Sequence, residues 1–109
     1  IKSEEGNWKL SSSFGCLQAK IDKVKEVVKI QNSCKTLKSD GITVKDESRK
    51  EYIFKIPSFS SINLHSGVGE DNETDIFWNN KQNVWNNDAD SIYIHDKNNN
   101  IIYFDSYGY

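Results

Sequence analysis

The apolar residues between Leu17 and Gln31 recur at intervals of three and four positions, and lysines and acidic residues fill the gaps between them. This spacing is typical of one buried face on an amphipathic helix. No proline interrupts the segment. We therefore predict an α-helix near the N-terminus. Its buried face would carry Leu17, Ile21, Val24, Val27 and Val28.

After Cys34 the pattern changes to strict alternation of apolar and polar residues, which predicts β-strands. The predicted strands are centred on Ile42–Val44, Tyr52–Ile56, Ile62–Leu64 and Thr74–Trp78. Alternation at residues 7–13 predicts another short strand before the helix. The chain ends in two apolar runs, at 92–94 and 101–104, separated by an Asn-rich segment. This arrangement predicts a closing β-hairpin.

These elements predict an α+β fold in which one N-terminal helix packs on a small antiparallel sheet. A length of 109 residues suits one domain, and we find neither a linker nor a repeat, so we assign residues 1–109 to a single domain. No apolar run is long enough to span a bilayer, and we expect no membrane association. The chain begins at Ile1 without Met, which we interpret as either a processed mature protein or a trimmed piece of a longer chain.

The charge distribution limits the choice of partners. The net charge is −2, whereas nucleic-acid-binding domains usually carry a basic excess. Positive charge is nevertheless concentrated before residue 40, in Lys20, Lys23, Lys25, Lys29, Lys35 and Lys38. This concentration indicates either a local basic face or the ordinary solvated side of an amphipathic helix.

The two cysteines, Cys16 and Cys34, are 18 positions apart and flank the predicted helix. One continuous helix would separate them by about 27 Å, which is beyond disulfide reach. They can pair only if the helix is shorter and the chain folds back at one end of it, and the alternative is two free, buried thiols. We favour the disulfide, because small secreted domains use disulfides to supplement a limited core. Asn72 begins an N-glycosylation sequon, which is consistent with secretion.

No metal or cofactor is predicted. The chain has no CxxC pair, and its two histidines, His65 and His95, are isolated in sequence.

Several segments resemble the small fungal guanyl-specific ribonucleases. Ala89-Asp90, an Asn-rich turn at 98–100 and Gly108 follow the order and separation found at the end of that family. Tyr52-Ile53-Phe54-Lys55 stands where the family has Tyr-x-His-Lys, and Trp78 stands where it has the Trp of its central motif. The resemblance implies the same layout of an early helix followed by a sheet.

The groups that would cleave RNA are absent from the matched positions. Phe54 and Ser106 replace the two histidines, Phe77 replaces the glutamate, and Ser91 replaces the arginine. Cleavage needs a general base, a general acid and positive charge at the phosphate, and none of these side chains supplies them. The resemblance therefore implies a protein that is not an enzyme. A less favoured alternative is an active ribonuclease with relocated groups, drawn from His65, His95, Glu70 and Asp96.

These losses fit a related family, the ribonuclease-like secreted effectors of powdery mildew fungi. Phe14-Gly15-Cys16 resembles their N-terminal aromatic-x-Cys motif. The resemblance implies a secreted, monomeric, non-catalytic effector that acts in the plant-cell cytoplasm by binding a host protein. Some members are avirulence proteins detected by intracellular nucleotide-binding leucine-rich-repeat receptors. A secreted protease inhibitor or a toxin-immunity protein is the remaining alternative.

Candidate contact residues follow from these hypotheses. Trp85, Tyr107 and Tyr109 are aromatic residues in a loop and at the tail, and such residues often anchor protein interfaces. The alternative for Trp85 is core packing under its loop. In an RNA-binding pseudo-ribonuclease, Tyr52 would stack on a base and Lys55 would contact a phosphate. The alternative for Tyr52 is ordinary packing in a sheet.

Overall fold

The computed structural model describes residues 9–48, 50–80, 84–85 and 90–107. The strands are β1 (Leu17–Asp22), β2 (Val27–Asn32), β3 (Thr43–Asp46), β4 (Glu51–Ile53), β5 (Ser61–His65), β6 (Asp75–Phe77), β7 (Asp90–His95) and β8 (Ile101–Tyr107). They form two four-stranded sheets, in the orders β1-β2-β5-β6 and β4-β3-β7-β8. The described residues contain no helix. The predicted α+β class, with a helix on one sheet, is therefore wrong.

The segment that was predicted to be a helix is a β-hairpin. β1 and β2 pair antiparallel over their whole lengths, and the chain reverses at residues 23–26. The Asp22 carboxylate accepts hydrogen bonds from the backbone N–H groups of Val24 and Lys25, at 3.1 and 3.0 Å. Glu26 closes the turn with a positive φ of 59°. These local bonds satisfy the reversed backbone, so the turn is encoded by residues that also fit a helix.

The helical spacing was misleading because a hairpin with a four-residue turn puts apolar residues at similar intervals. Val24 was expected in the core, but it lies in the turn and is 84% exposed. Leu17, Val28 and Ile30 instead alternate along two strands and are buried. The β-branched residues of this segment fit a pleated sheet better than a helix.

The hairpin also brings the two cysteines together. Cys16 and Cys34 form a disulfide with a Cα–Cα distance of 5.2 Å, which confirms the predicted pairing. The bridge lies at the open end of the hairpin, where the backbone N–H of Ser33 donates to the carbonyl of Cys16 at 2.9 Å. The chain reverses midway between the cysteines, where we had expected a shortened helix with a fold-back at one end.

The remaining strands agree in part with the sequence pattern. The closing hairpin is confirmed: β7 pairs antiparallel with β8, and the Asp96 carboxylate accepts from the backbone N–H groups of Asn98 and Asn100 in the turn. The expectation of a wholly antiparallel sheet is wrong, because β5 and β6 run parallel. In the predicted strand at 7–13, Leu10 makes only an isolated bridge to Ile101, and residues 7 and 8 lie outside the described residues.

The two sheets enclose one hydrophobic cluster to which both contribute. Its largest fully buried side chain is that of Trp85, which meets Trp78 edge-on with ring centroids 6.1 Å apart. Glu26 ties this region to the β1–β2 turn, because its Oε1 accepts from the backbone N–H groups of Val84 and Trp85 at 2.7 and 3.2 Å. No helix of the described residues is long and apolar enough to cross a membrane.

Side chains form hydrogen bonds with backbone groups at both edges of the first sheet. At β1, the Tyr103 hydroxyl donates to the carbonyl of Ala19 at 3.1 Å. At β6, the backbone N–H of Phe77 donates to the Asp71 carboxylate, and that of Asp75 donates to the side-chain oxygen of residue 72, each at 2.9 Å. These edge groups are therefore already hydrogen-bonded within the chain.

The second sheet buries a histidine, and we expect it to make stability depend on pH. Burial, and secondly the charge of Lys45, lower the pKa of His95 from its ordinary 6.5, although Asp96 and Glu51 act in the opposite direction. The folded protein thus binds this proton less readily than the unfolded chain does. Its stabilising contribution is complete above about pH 6.5 and is lost as the pH falls through the lower, folded pKa.

We therefore expect the Tm to fall between about pH 7.5 and pH 5, and we expect His95→Gln to flatten that slope. Thermal unfolding followed by circular dichroism at constant ionic strength measures both. A slope that is equally steep in the variant would show that another group is responsible.

Candidate functional site

Alternation along the first sheet turns one side chain of every two away from the core. Register aligns these outward side chains in three rows across the strands. The rows are Gln18–Gln31–Ser61, Lys20–Lys29–Asn63–Asp75 and Asp22–Val27–His65–Phe77. We call these residues the outer face. The face is mainly polar, in contrast to the apolar side chains that the same strands direct inward.

The most ordered part of the outer face is a pair formed by His65 and Asp75. Nε2 of His65 lies 2.7 Å from Oδ1 of Asp75, and the amide of Asn63 donates to the same oxygen at 3.3 Å. The hydroxyl of Thr74 donates to Oδ2 at 2.7 Å. The bond from His65, and then that from Thr74, holds the pKa of the Asp75 carboxyl below its ordinary value. Asp75 is therefore a fixed acceptor that orients the imidazole.

The imidazole is also held by an aromatic ring. Phe77 stacks on His65 with centroids 4.6 Å apart and planes inclined by 17°. Both members of the dyad remain accessible, with side chains 29% and 31% exposed. The histidine is therefore rigid and open to a partner, which is the condition for recognition or for proton transfer.

Next to this pair the outer face carries two lysines. Lys20 and Lys29 stand directly opposite each other on β1 and β2, and both are exposed. Like charges in that position are destabilising. Neither lysine has an ion-pair partner among the described residues. A groove of about 580 Å³ runs from these lysines past the β1–β2 turn to Asn63 and His65.

The described surroundings of His65 hold one oriented imidazole and its carboxylate partner. The contacts of the His65 side chain in the described structure are to Asp75 and Phe77, and neither supplies a second proton-transfer group or a nucleophile. A single oriented base does not complete a phosphoryl- or acyl-transfer mechanism. Within the described residues, no group of three or more metal-ligating side chains is placed to hold a metal ion.

The proposed RNA contacts lie elsewhere and do not form a stacking platform. Tyr52 is buried, packs on Phe54 and Trp78 with centroids 5.5 and 6.1 Å away, and faces the core. Burial, and secondly the charge of Asp71, raises the pKa of Tyr52 to about 12. Lys55 is exposed beyond the end of β4. The alternative of ordinary sheet packing describes Tyr52, and an RNA contact through this pair stays a prediction.

The predicted partner contacts are equally dispersed. Trp85 is 1% exposed, so it packs in the core and does not anchor a surface. Tyr107 is half-buried at the end of β8, with the Lys23 ammonium 5.3 Å from its ring centroid. Tyr109 lies outside the described residues. A partner contact through Tyr107 or Tyr109 stays a prediction.

The positions matched to the ribonuclease motif do not converge on one cleft. Phe54 is in the core, and Phe77 is on the outer face of the first sheet. Ser91 and Ser106 face each other across β7 and β8 in the second sheet, where Ser91 donates to the Glu47 carboxylate at 2.9 Å. The nuclease layout that the resemblance implied is therefore not assembled by these strands.

The sequence singled out Lys20, Lys29 and His65 for separate reasons, but it did not predict that they share one face of a sheet. Asn63 and His65 alternate with buried Ile62 and Leu64, and that alternation is the one signal that marks them as a solvent-facing row. Their partner Asp75 is 10 positions from His65 and meets it only because β5 and β6 pair in parallel.

Comparison with known protein families finds none that matches the chain, and comparison with curated proteins finds no similar sequence.

Proposed function

We propose that this chain is a secreted, non-catalytic binding protein that presents the outer face to a protein partner. The observation that carries the proposal is the oriented His65–Asp75 pair beside two opposed lysines, Lys20 and Lys29, which have no ion-pair partner among the described residues. Rigid polar side chains and uncompensated charge on an exposed sheet are typical of a surface that recognises a charged partner. The disulfide supports an oxidising, extracellular compartment for the protein.

The identity of the partner rests on the resemblance alone. A plant host protein, or an intracellular nucleotide-binding leucine-rich-repeat receptor, is the partner that a fungal effector would have. The resemblance to these effectors implied an N-terminal helix, but in the described structure that segment is the hairpin of β1 and β2. The fungal source, the plant cytoplasm and the avirulence role stay predictions.

We expect the purified protein not to cleave RNA. His65 has one acid–base neighbour, Asp75, and the hydrogen bond between them fixes that neighbour as an acceptor. Incubation with total plant RNA near neutral pH, followed by gel analysis, should show no more degradation than buffer alone. His65→Ala should give the same result as the unchanged protein.

If RNA is cleaved, a variant of the second histidine shows which histidine is responsible. His95→Ala changes the other histidine, which is buried in the second sheet. Cleavage that His65→Ala abolishes and His95→Ala leaves intact would assign catalysis to the outer face and contradict the non-catalytic proposal.

The binding surface itself is tested by site-specific photo-crosslinking. We would place a photoreactive phenylalanine analogue at Gln31, which is exposed on the outer face, and at Lys38, which is exposed elsewhere. In plant extract, a protein crosslinked from Gln31 and not from Lys38 is the expected result. Crosslinks from Lys38 alone would show that the partner binds outside the outer face.

A further inference from the structure

We infer that the groove beside the β1–β2 turn binds an acidic peptide segment of the partner, with an apolar side chain of that segment against Val24 and Val27. The inference rests on the proposed function and specifies the chemistry of the partner. It uses one end of the outer face, where the strands β1 and β2 meet their turn.

Charge is the first observation. The groove is lined by four lysines, Lys20, Lys23, Lys25 and Lys29, and by a single aspartate, Asp22. The carboxylate of Asp22 is directed to the backbone of its own turn, where Oδ1 accepts two N–H groups. The groove is therefore strongly positive in a chain whose net charge is −2. Such a local excess attracts a negatively charged segment and steers its approach.

Apolar side chains that line the groove are the second observation. Ile21, Val24 and Val27 line the same groove as the lysines, and Val24 is 84% exposed. An exposed valine between two lysines has no packing role in the fold. A ligand with carboxylates and an apolar side chain would pair with the lysines and, at the same time, cover these apolar side chains.

The same features argue against single-stranded RNA as the occupant. Recognition of unpaired bases relies on free aromatic rings or arginine planes for stacking. Among the described residues, His65 is the one aromatic ring that lines the groove, and Phe77 already stacks on one face of it. The groove offers lysines and aliphatic side chains, which suit carboxylates and a branched apolar residue.

Fluorescence anisotropy with a defined peptide tests the inference. The probe is a labelled peptide of about eight residues that carries both glutamates and leucines. We expect it to bind, and we expect K20E/K29E to weaken binding about tenfold or more. The matched control K35E/K38E reverses two exposed lysines outside the groove and has the same net charge. It should leave affinity within about twofold, because distant surface charges are screened.

Three comparisons identify what is bound. A peptide with glutamine for glutamate and one with serine for leucine should each bind more weakly, since each removes one of the two features. An RNA oligonucleotide of equal charge should compete poorly. Stronger binding of the RNA, equal losses in both double variants, or no peptide binding would each overturn the inference.

The outcomes also separate this inference from the proposed function. If the peptide fails to bind while Gln31 still crosslinks a protein, the groove assignment alone is wrong. If Gln31 crosslinks nothing, or if RNA is cleaved through His65, the proposed function is wrong, whether or not the peptide binds.

Discussion

Trp85→Ala should lower the free energy of unfolding by about 3–5 kcal/mol, the largest effect of any single substitution considered. Trp85 is 1% exposed and is the largest fully buried side chain in the described structure. Its removal leaves a cavity beside Trp78, which lies edge-on to it. The hydrogen bond from the backbone N–H of residue 85 to the Glu26 carboxylate would remain, so the backbone at this position can move into the cavity only in part.

Urea unfolding followed by far-UV circular dichroism measures this loss without depending on the fluorescence of the deleted residue. Trp85→Phe should cost less, because it retains most of the buried ring. Val24→Ala is the matched control, since Val24 is 84% exposed, and it should change stability by less than about 0.5 kcal/mol. A Trp85→Ala loss below about 1 kcal/mol would mean that this side chain is not part of the core.

Removal of the disulfide should have the second-largest effect. Replacing Cys16 and Cys34 with serine opens a loop with a sequence separation of 18, for which chain entropy gives a loss of about 3 kcal/mol. The bridge also holds the open end of the hairpin that carries Lys20 and Lys29. We therefore expect both a lower urea midpoint and a weaker response to the acidic peptide.

The reductant provides an internal control for this prediction. Dithiothreitol should bring the unchanged protein to the stability of the double serine variant and should not affect that variant. If the oxidised protein and the double variant unfold at the same urea concentration, the bridge does not contribute to stability.

The sequence was sufficient where structure is local. The closing hairpin follows from two apolar runs and a turn whose Asp96 carboxylate bonds the backbone two and four residues ahead. The disulfide was also predicted, although with a shortened helix between the cysteines and not the observed hairpin. For residues 17–31, spacing alone did not distinguish a helix from a hairpin, since Val24 satisfies a helical period although it lies in a turn. β-Branched composition was the better guide there.

The site could not be predicted because it depends on pairing between distant segments. His65 meets Asp75 through the parallel register of β5 and β6, and Lys20 meets Lys29 through the register of β1 and β2. A slip of one residue would turn each of these side chains to the opposite face. The ribonuclease motifs were matched by order along the chain, and the observed strands carry their residues to separate places.

Backbone groups at both edges of the first sheet are already hydrogen-bonded within the chain, and this limits how the sheet can pair with another chain. Ala19 already accepts a bond from Tyr103, and the N–H groups of Asp75 and Phe77 are taken up by side chains of their own loop. An incoming strand would have to break these bonds before it could extend the sheet. Strand addition at these groups is therefore disfavoured, and the outer face of the sheet is the surface that stays accessible to a partner.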